Sequence, residues 1–144
     1  MKLNTKSTYG ARAVVEIAQN YGDKPTKRKD IVQHQNIPES YLENILISLK
    51  KSGIVGATRG PKGGFVLKRP PSQITMLDVI SVFENKLSPV DCLDTPSHCE
   101  KTGSCLTRPV WAKLKETQED VLRNFTIQQL IEKGVQTTEI FFDN

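Results

Sequence analysis

Apolar residues along this chain recur mostly at helical spacing, with one interruption where small and β-prone residues take over. After Ser7, the residues Ala11, Val14, Val15 and Ala18 share one face, which predicts a helix capped by Ser7 and stopped near Gly22. A short second helix is predicted from Thr26 to His34, with Ile31 and Val32 turned inward. The turn Gln35-Asn36-Ile37-Pro38 leads into a third helix, where Pro38 suits the first turn and Gly53 the end. Leu42, Ile45, Leu46 and Leu49 fall at i, i+3, i+4 and i+7 and face the core, while Glu39, Ser40, Glu43 and Asn44 form a polar face.

Two short helices, a tight turn and a polar-faced third helix form a helix-turn-helix pattern. The β-prone runs 54–59 and 65–67 then flank Gly60-Pro61-Lys62-Gly63-Gly64, which predicts a hairpin, or wing, with Arg59, Gly60 and Lys62 at its tip. A nucleotide-binding glycine loop would instead end in Gly-Lys-Ser/Thr and open a helix, whereas this one runs into Phe65 and a strand pattern. Residues 68–72 hold two prolines and read as a linker. Thr75 caps a fourth helix with Leu77, Val79, Ile80, Val82 and Phe83 largely buried. An irregular stretch, 86–105, precedes a long helix from Leu106 to Asn124 with the stripe Val110, Trp111, Leu114, Val121, Leu122 and Phe125. Thr126 caps a last helix, 127–133, and a tail closes the chain. The expected fold is therefore mostly α with a small β-hairpin wing. A winged helix-turn-helix unit spans 1–72, and a second unit, 73–144, carries a long dimerisation helix. That helix needs a partner for its stripe, and a homodimer supplies one while placing two readers on successive half-sites.

Charge sharpens this division. Of the 144 residues, 1–72 carry 13 Lys and Arg against 5 Asp and Glu, and 73–144 carry 7 against 11. A basic front on an acidic back points to a polyanion at the front. Lys27, Arg28 and Lys29 crowd the start of the second helix, where cations oppose the helix dipole, and a phosphate contact would offset that cost. With 37% hydrophobic and 25% charged residues, a core is affordable and wholesale disorder is not expected. No run approaches the ~20 apolar residues of a membrane span, and the first residues lack a secretory h-region, so a cytoplasmic protein is expected. The two histidines, His34 and His98, sit in no catalytic spacing, and no enzyme is expected.

All three cysteines lie in the irregular stretch: Cys92, Cys99 and Cys105. An odd number argues against a disulfide set, and their neighbours are too polar to bury them. A loop of this spacing can wrap three thiolates around one centre, with an iron–sulfur cluster, zinc completed by His98, and a redox-sensing thiol pair as the candidates.

Four stretches resemble one family in order and separation: Met1 to Tyr9, Ile37-Pro38-Glu39-Ser40-Tyr41-Leu42-Glu43, Arg59-Gly60-Pro61-Lys62-Gly63-Gly64-Phe65, and Cys92, Cys99, Cys105-Leu106-Thr107 followed by Trp111. They are similar to the IscR-type iron–sulfur cluster regulators within the wider Rrf-type group of winged-helix transcription factors. The resemblance implies a dimer on a double-stranded DNA operator, with Ser40, Tyr41 and Glu43 on the reading surface and Arg59 and Gly60 in the wing. Glu suits cytosine N4, Arg a narrow minor groove, and the Ser40 and Tyr41 hydroxyls with Lys27 and Arg28 suit phosphates. It also implies a cluster on the three cysteines that changes site preference, two-iron two-sulfur ahead of four-iron four-sulfur, in a repressor of cluster-biogenesis genes. Nitric-oxide- or redox-sensing relatives, and zinc- or thiol-based regulators, are the alternatives. One position departs from the family: Arg108 stands where the fourth-ligand histidine is expected, three residues after Cys105, and Ser7-Thr8-Tyr9 offers no carboxylate in its place. His98, Glu100, Asp91, Asp94, His34 from elsewhere in the dimer, or an external thiol or water are left as fourth ligands.

Overall fold

The computed structural model describes residues 2–134, so the closing tail lies outside the described residues. Among the described residues, six α-helices and one hairpin follow in the order α1 (Thr5–Gln19), α2 (Arg28–Gln35), α3 (Glu39–Lys51), β1 (Val55–Thr58), β2 (Gly64–Leu67), α4 (Met76–Phe83), α5 (Arg108–Asn124) and α6 (Ile127–Lys133). The strands are antiparallel, with Val55 opposite Leu67 and Thr58 opposite Gly64.

The core forms around α1. Ala13, Val14 and Ile17 are essentially inaccessible, and they pack with Ile31 of α2, Leu42, Ile45 and Leu49 of α3, Val79 of α4 and Ile127 of α6. The buried side chains on either side of residue 72 thus belong to one continuous cluster. Gly10 lets α4 come close, because a Cβ there would lie 2.7 Å from the tip of the Phe83 ring.

Several element boundaries differ from expectation. Asn4 caps α1, its side-chain oxygen accepting from the Ser7 amide at 2.8 Å. Ser7 sits inside the first turn, buried, and its hydroxyl donates to Glu84 at 2.6 Å. Both residue types cap well, and the earlier one lets α1 gain nearly a turn. The helix stops at Gln19, with Asn20 as its C-terminal cap, before Gly22 is reached. Thr26 does not begin α2. Its amide and carbonyl are taken by Phe65 at 2.9 and 2.8 Å, an extended pairing that suits a β-branched residue, and the helix starts at Arg28. Pro38 precedes α3 as its cap rather than lying within it.

The expected caps of α4 and α6 are present, and both are capping boxes: Thr75 with Asp78 and Thr126 with Gln129. These two helix starts are also stitched together. Met76 N–H donates to the Phe125 carbonyl, and Ile127 N–H to the Ile74 carbonyl, each at 2.8 Å. The α4–loop–α5 segment is therefore pinned at its neck. On α4, Val79 and Ile80 are buried, while Leu77, Val82 and Phe83 are only partly so. The long helix starts at Arg108, two residues later than expected, with Thr107 as its cap and Pro109 in its first turn; Leu106 stays outside.

Two tests follow from this packing. At the wing, a Cβ on Gly63 would collide with the Thr58 carbonyl and lie 2.8 Å from the Arg59 carbonyl carbon. Backbone cannot swing aside as a side chain can, so Gly63→Ala is expected to cost about 1–3 kcal/mol in urea unfolding. Gly103→Ala, with open space around its Cβ, is the neutral control. Between α1 and α2, the buried Glu16 carboxylate meets His34 Nδ1 at 2.6 Å and accepts from Gln35 Nε2 at 2.7 Å. The hydrogen bond to Glu16, then its charge, hold the His34 pKa above its ordinary 6.5. A raised folded-state pKa means that the stabilisation is complete below pH 6.5 and is lost as pH rises through the higher value. The melting temperature should fall across that window, and His34→Gln should flatten the fall.

Candidate nucleic-acid interface and cysteine loop

Burying Leu42, Ile45, Leu46 and Leu49 dictates which side of α3 faces outward. Ser40, Glu43 and Asn44 share that exposed side at i, i+3 and i+4. Asn44 turns its amide back to the Ser40 carbonyl at 3.3 Å. Tyr41, 44% exposed, leans towards α1, where its ring meets Tyr9 edge to face, with centroids 5.8 Å apart. Ile47 was not singled out in the sequence; it is 47% exposed and extends the same outer side as an apolar step. The signal was available, since Ile47 lies off the i, i+3, i+4, i+7 stripe of the core.

Lys27 and Arg28 are exposed at the start of α2, and the Thr26–Phe65 pairing fixes that start beside β2. The wing tip presents Arg59, Gly60 and Lys62 to solvent, with Gly60 at a φ of +101° and its carbonyl accepting from Gly63 at 2.9 Å. The expected DNA-facing residues are thus all exposed. Sequence reasoning missed the side chains of α1 that contact this unit: Tyr9 meets Tyr41, Arg12 the carbonyls of Gln35 and Asn36, and Glu16 the side chains of His34 and Gln35.

The cysteine loop is more ordered than an irregular stretch. Short 3₁₀ turns cover Asp91–Leu93 and Pro96–His98, and the Thr102 hydroxyl donates to the carbonyls of Pro96 and Cys99. Cys92 lies in the first turn, Cys99 just after the second, and Cys105 just before α5; all three are free thiols and half-buried. Among the described residues no three His, Cys, Asp or Glu side chains gather as a metal site, so the structure holds the thiols on one loop without closing them around a centre. In donor chemistry the three thiols suit an iron–sulfur cluster.

Of the fourth-ligand candidates, two are already engaged: Asp94 pairs with Lys115 at 2.8 Å and His34 with Glu16. His98, Glu100 and Asp91 are exposed on the loop. The Lys115 hydrogen bond holds the Asp94 carboxyl below its usual range. Arg108 donates to the Cys92 carbonyl at 3.4 Å, so the residue standing in the histidine position ties α5 to the loop instead. The Thr107 hydroxyl, 3.3 Å from the Cys105 sulfur, leads the interactions that push the Cys105 thiol pKa down.

The stripe predicted on α5 divides into two. Trp111 and Leu122 are half-buried, on the helix that packs against α4. Val110, Leu114 and Val121 are 60, 40 and 52% exposed, and Leu106 before them is 94% exposed. No residue of α5 is fully buried.

Comparison with known proteins agrees with this architecture. Residues 3–133 match the Rrf2 family model, described as an iron-dependent transcriptional regulator. The HTH-type transcriptional regulator CymR of Bacillus subtilis is 33% identical over 144 residues, 99% of each chain. The solved structure of that protein, described as the global cysteine regulator of B. subtilis, aligns with a TM-score of 0.79 over 93% of this chain and 98% of its own, at 34% identity. The T. potens IscR structure aligns with a TM-score of 0.78 and 29% identity over 99% of this chain and 97% of its own. The HTH-type transcriptional regulator IscR of Klebsiella pneumoniae is 33% identical over 91% of this chain and 80% of its own. With its winged helix-turn-helix and with relatives matched along nearly its whole length, the chain belongs to the Rrf2 family of transcriptional regulators.

Proposed function

We propose that the chain is a cytoplasmic, homodimeric repressor that grips an operator duplex through residues 1–72 and is controlled by an iron–sulfur cluster carried on residues 73–144. In this reading α3 enters the major groove with Ser40, Tyr41, Glu43 and Asn44, and Glu43 accepts from a cytosine amine. The wing places Arg59, Gly60 and Lys62 at the flanking minor groove, and Lys27 and Arg28 engage phosphates. The outer stripe of α5 is buried against a second copy. Cys92, Cys99 and Cys105 hold the cluster, two-iron two-sulfur in preference to four-iron four-sulfur, and the controlled genes serve cluster biogenesis. When bound, the cluster supplies a centre whose gain or loss reports iron and redox supply.

The observation that carries this reading is the fastening of the cysteine loop to α5. Lys115 grips Asp94, and Arg108 grips the Cys92 backbone. A change in the loop therefore acts on the helix whose uncovered stripe sets the spacing of two readers. Such control requires the two loop states to bind an operator unequally. The family description, an iron-dependent regulator, supports the metal side of the proposal.

A thiol-based regulator without a cluster is the second reading. It is favoured by the end-to-end similarity to CymR, described in B. subtilis as the global cysteine regulator.

Purification without oxygen separates the two. A brown protein with iron at cluster stoichiometry, and colourless when all three cysteines are replaced by alanine, supports the cluster. An iron-free protein whose operator affinity responds to oxidants supports the thiol reading. In either state Glu43→Ala should cost the favoured base about 1–3 kcal/mol of discrimination, and Arg59→Ala should lower the salt slope of binding by about one. Val110→Asp with Leu114→Asp should leave a monomer by light scattering at micromolar concentration; a dimer that survives both removes α5 as the interface.

A further inference from the structure

The side of α1 that faces the helix-turn-helix carries Tyr9, Arg12 and Glu16, spaced i, i+3 and i+7 and so in one row. Each of the three reaches the α2–α3 unit. Glu16 binds His34 and Gln35. Arg12 donates to the carbonyls of Gln35 and Asn36, the end of α2, where helix carbonyls lack partners of their own. The same guanidinium lies 4.9 Å from the centroid of the Tyr9 ring, and Tyr9 meets the ring of Tyr41 at an interplanar angle of 86°.

We propose that Tyr9 and Arg12 are positioning residues for DNA recognition: their stack, anchored on the α2–α3 turn, fixes the Tyr41 side chain in the pose that meets the duplex. The inference rests on the reading that α3 faces DNA.

Tyr41 stands in the first turn of α3 with nearly half its surface in solvent. An exposed side chain there samples several rotamers, and ordering it on binding costs affinity. The edge of one tyrosine against the face of the other removes that freedom beforehand. An aromatic pair of this geometry accounts for roughly two- to tenfold in an equilibrium constant. Arg12 adds the second constraint. Its charge is directed at the Tyr9 face and at two backbone carbonyls, so this exposed cation on the basic half of the chain has an inward task. Arg12 therefore differs from Lys27 and Arg28: its removal should alter recognition without removing a phosphate contact.

A double-mutant cycle tests this, using the full chain and a duplex selected from a random-sequence pool by the wild-type protein, with affinities measured by fluorescence anisotropy across a salt series. Tyr9→Leu is expected to weaken binding roughly two- to tenfold. Tyr9→Phe keeps the ring and restores the affinity. In a Tyr41→Ala background, Tyr9→Leu should cost nothing further. Arg12→Met should weaken binding with the salt slope unchanged, because no counterion-releasing contact is lost. Tyr9→Met repeats the cycle should the leucine variant fail to fold. Additive losses from Tyr9 and Tyr41, or a salt slope lowered by about one in Arg12→Met, overturn the proposal. A Tyr41→Ala protein that binds as the wild type does overturns the proposal alone, whereas the placement of α3 on DNA falls only if Glu43→Ala also leaves base preference unchanged, so the two failures are distinguishable.

Discussion

The burial of α1 on almost every side is the constraint on which the rest of the molecule depends. Four other helices and one strand rest against it, and its inner residues are small enough for them to come close. Gly10 admits Phe83, Ala13 and Ala18 admit the neighbouring helices, and Val14 and Ile17 fill the centre. A helix used in this way cannot shift against one neighbour without disturbing the others, because a close-packed interior has no slack. The two ends of the proposed regulatory circuit meet on it. Asn4 and Ser7 hold Glu84, from which the chain departs towards the cysteines, and Tyr9, Arg12 and Glu16 hold the reading helices.

The parts of the fold that were legible in the sequence are those governed by local rules. The stripe on α3, the glycine-rich hairpin and the Thr75 and Thr126 caps each need only a few consecutive residues, and each is where it was expected. The errors arose where two local rules competed or where a distant partner decided. Asn4 and Ser7 are equally good caps, and the choice fell to the longer helix. Thr26 was claimed by Phe65, which lies far along the chain. The stripe on α5 read as one surface because its repeat does not reveal which half faces α4 and which faces outward.

The candidate site shows the same division. Exposed positions on α3 and on the wing follow from the core pattern, since what is not buried must face out. The braces behind them do not. Arg12, Glu16 and His34 are ordinary polar residues on two amphipathic helices until the helices are packed together. The cysteines are an intermediate case. Their spacing identified one loop, whereas its 3₁₀ turns, the Asp94–Lys115 pair and the Arg108 tether are properties of the folded chain.

The backbone stitching between Ile74, Met76, Phe125 and Ile127 turns residues 75–126 into a hoop closed by a clasp. For a closed loop, each doubling in length adds only about 0.6 kcal/mol of chain entropy. With the clasp and the packing of α4 on α1 intact, the segment between α4 and α5 can be lengthened, shortened or given other donor atoms at little thermodynamic expense to the winged helix. On the proposed function, a fold built this way can exchange its sensing chemistry while keeping its reading head, as a socket accepts different instruments.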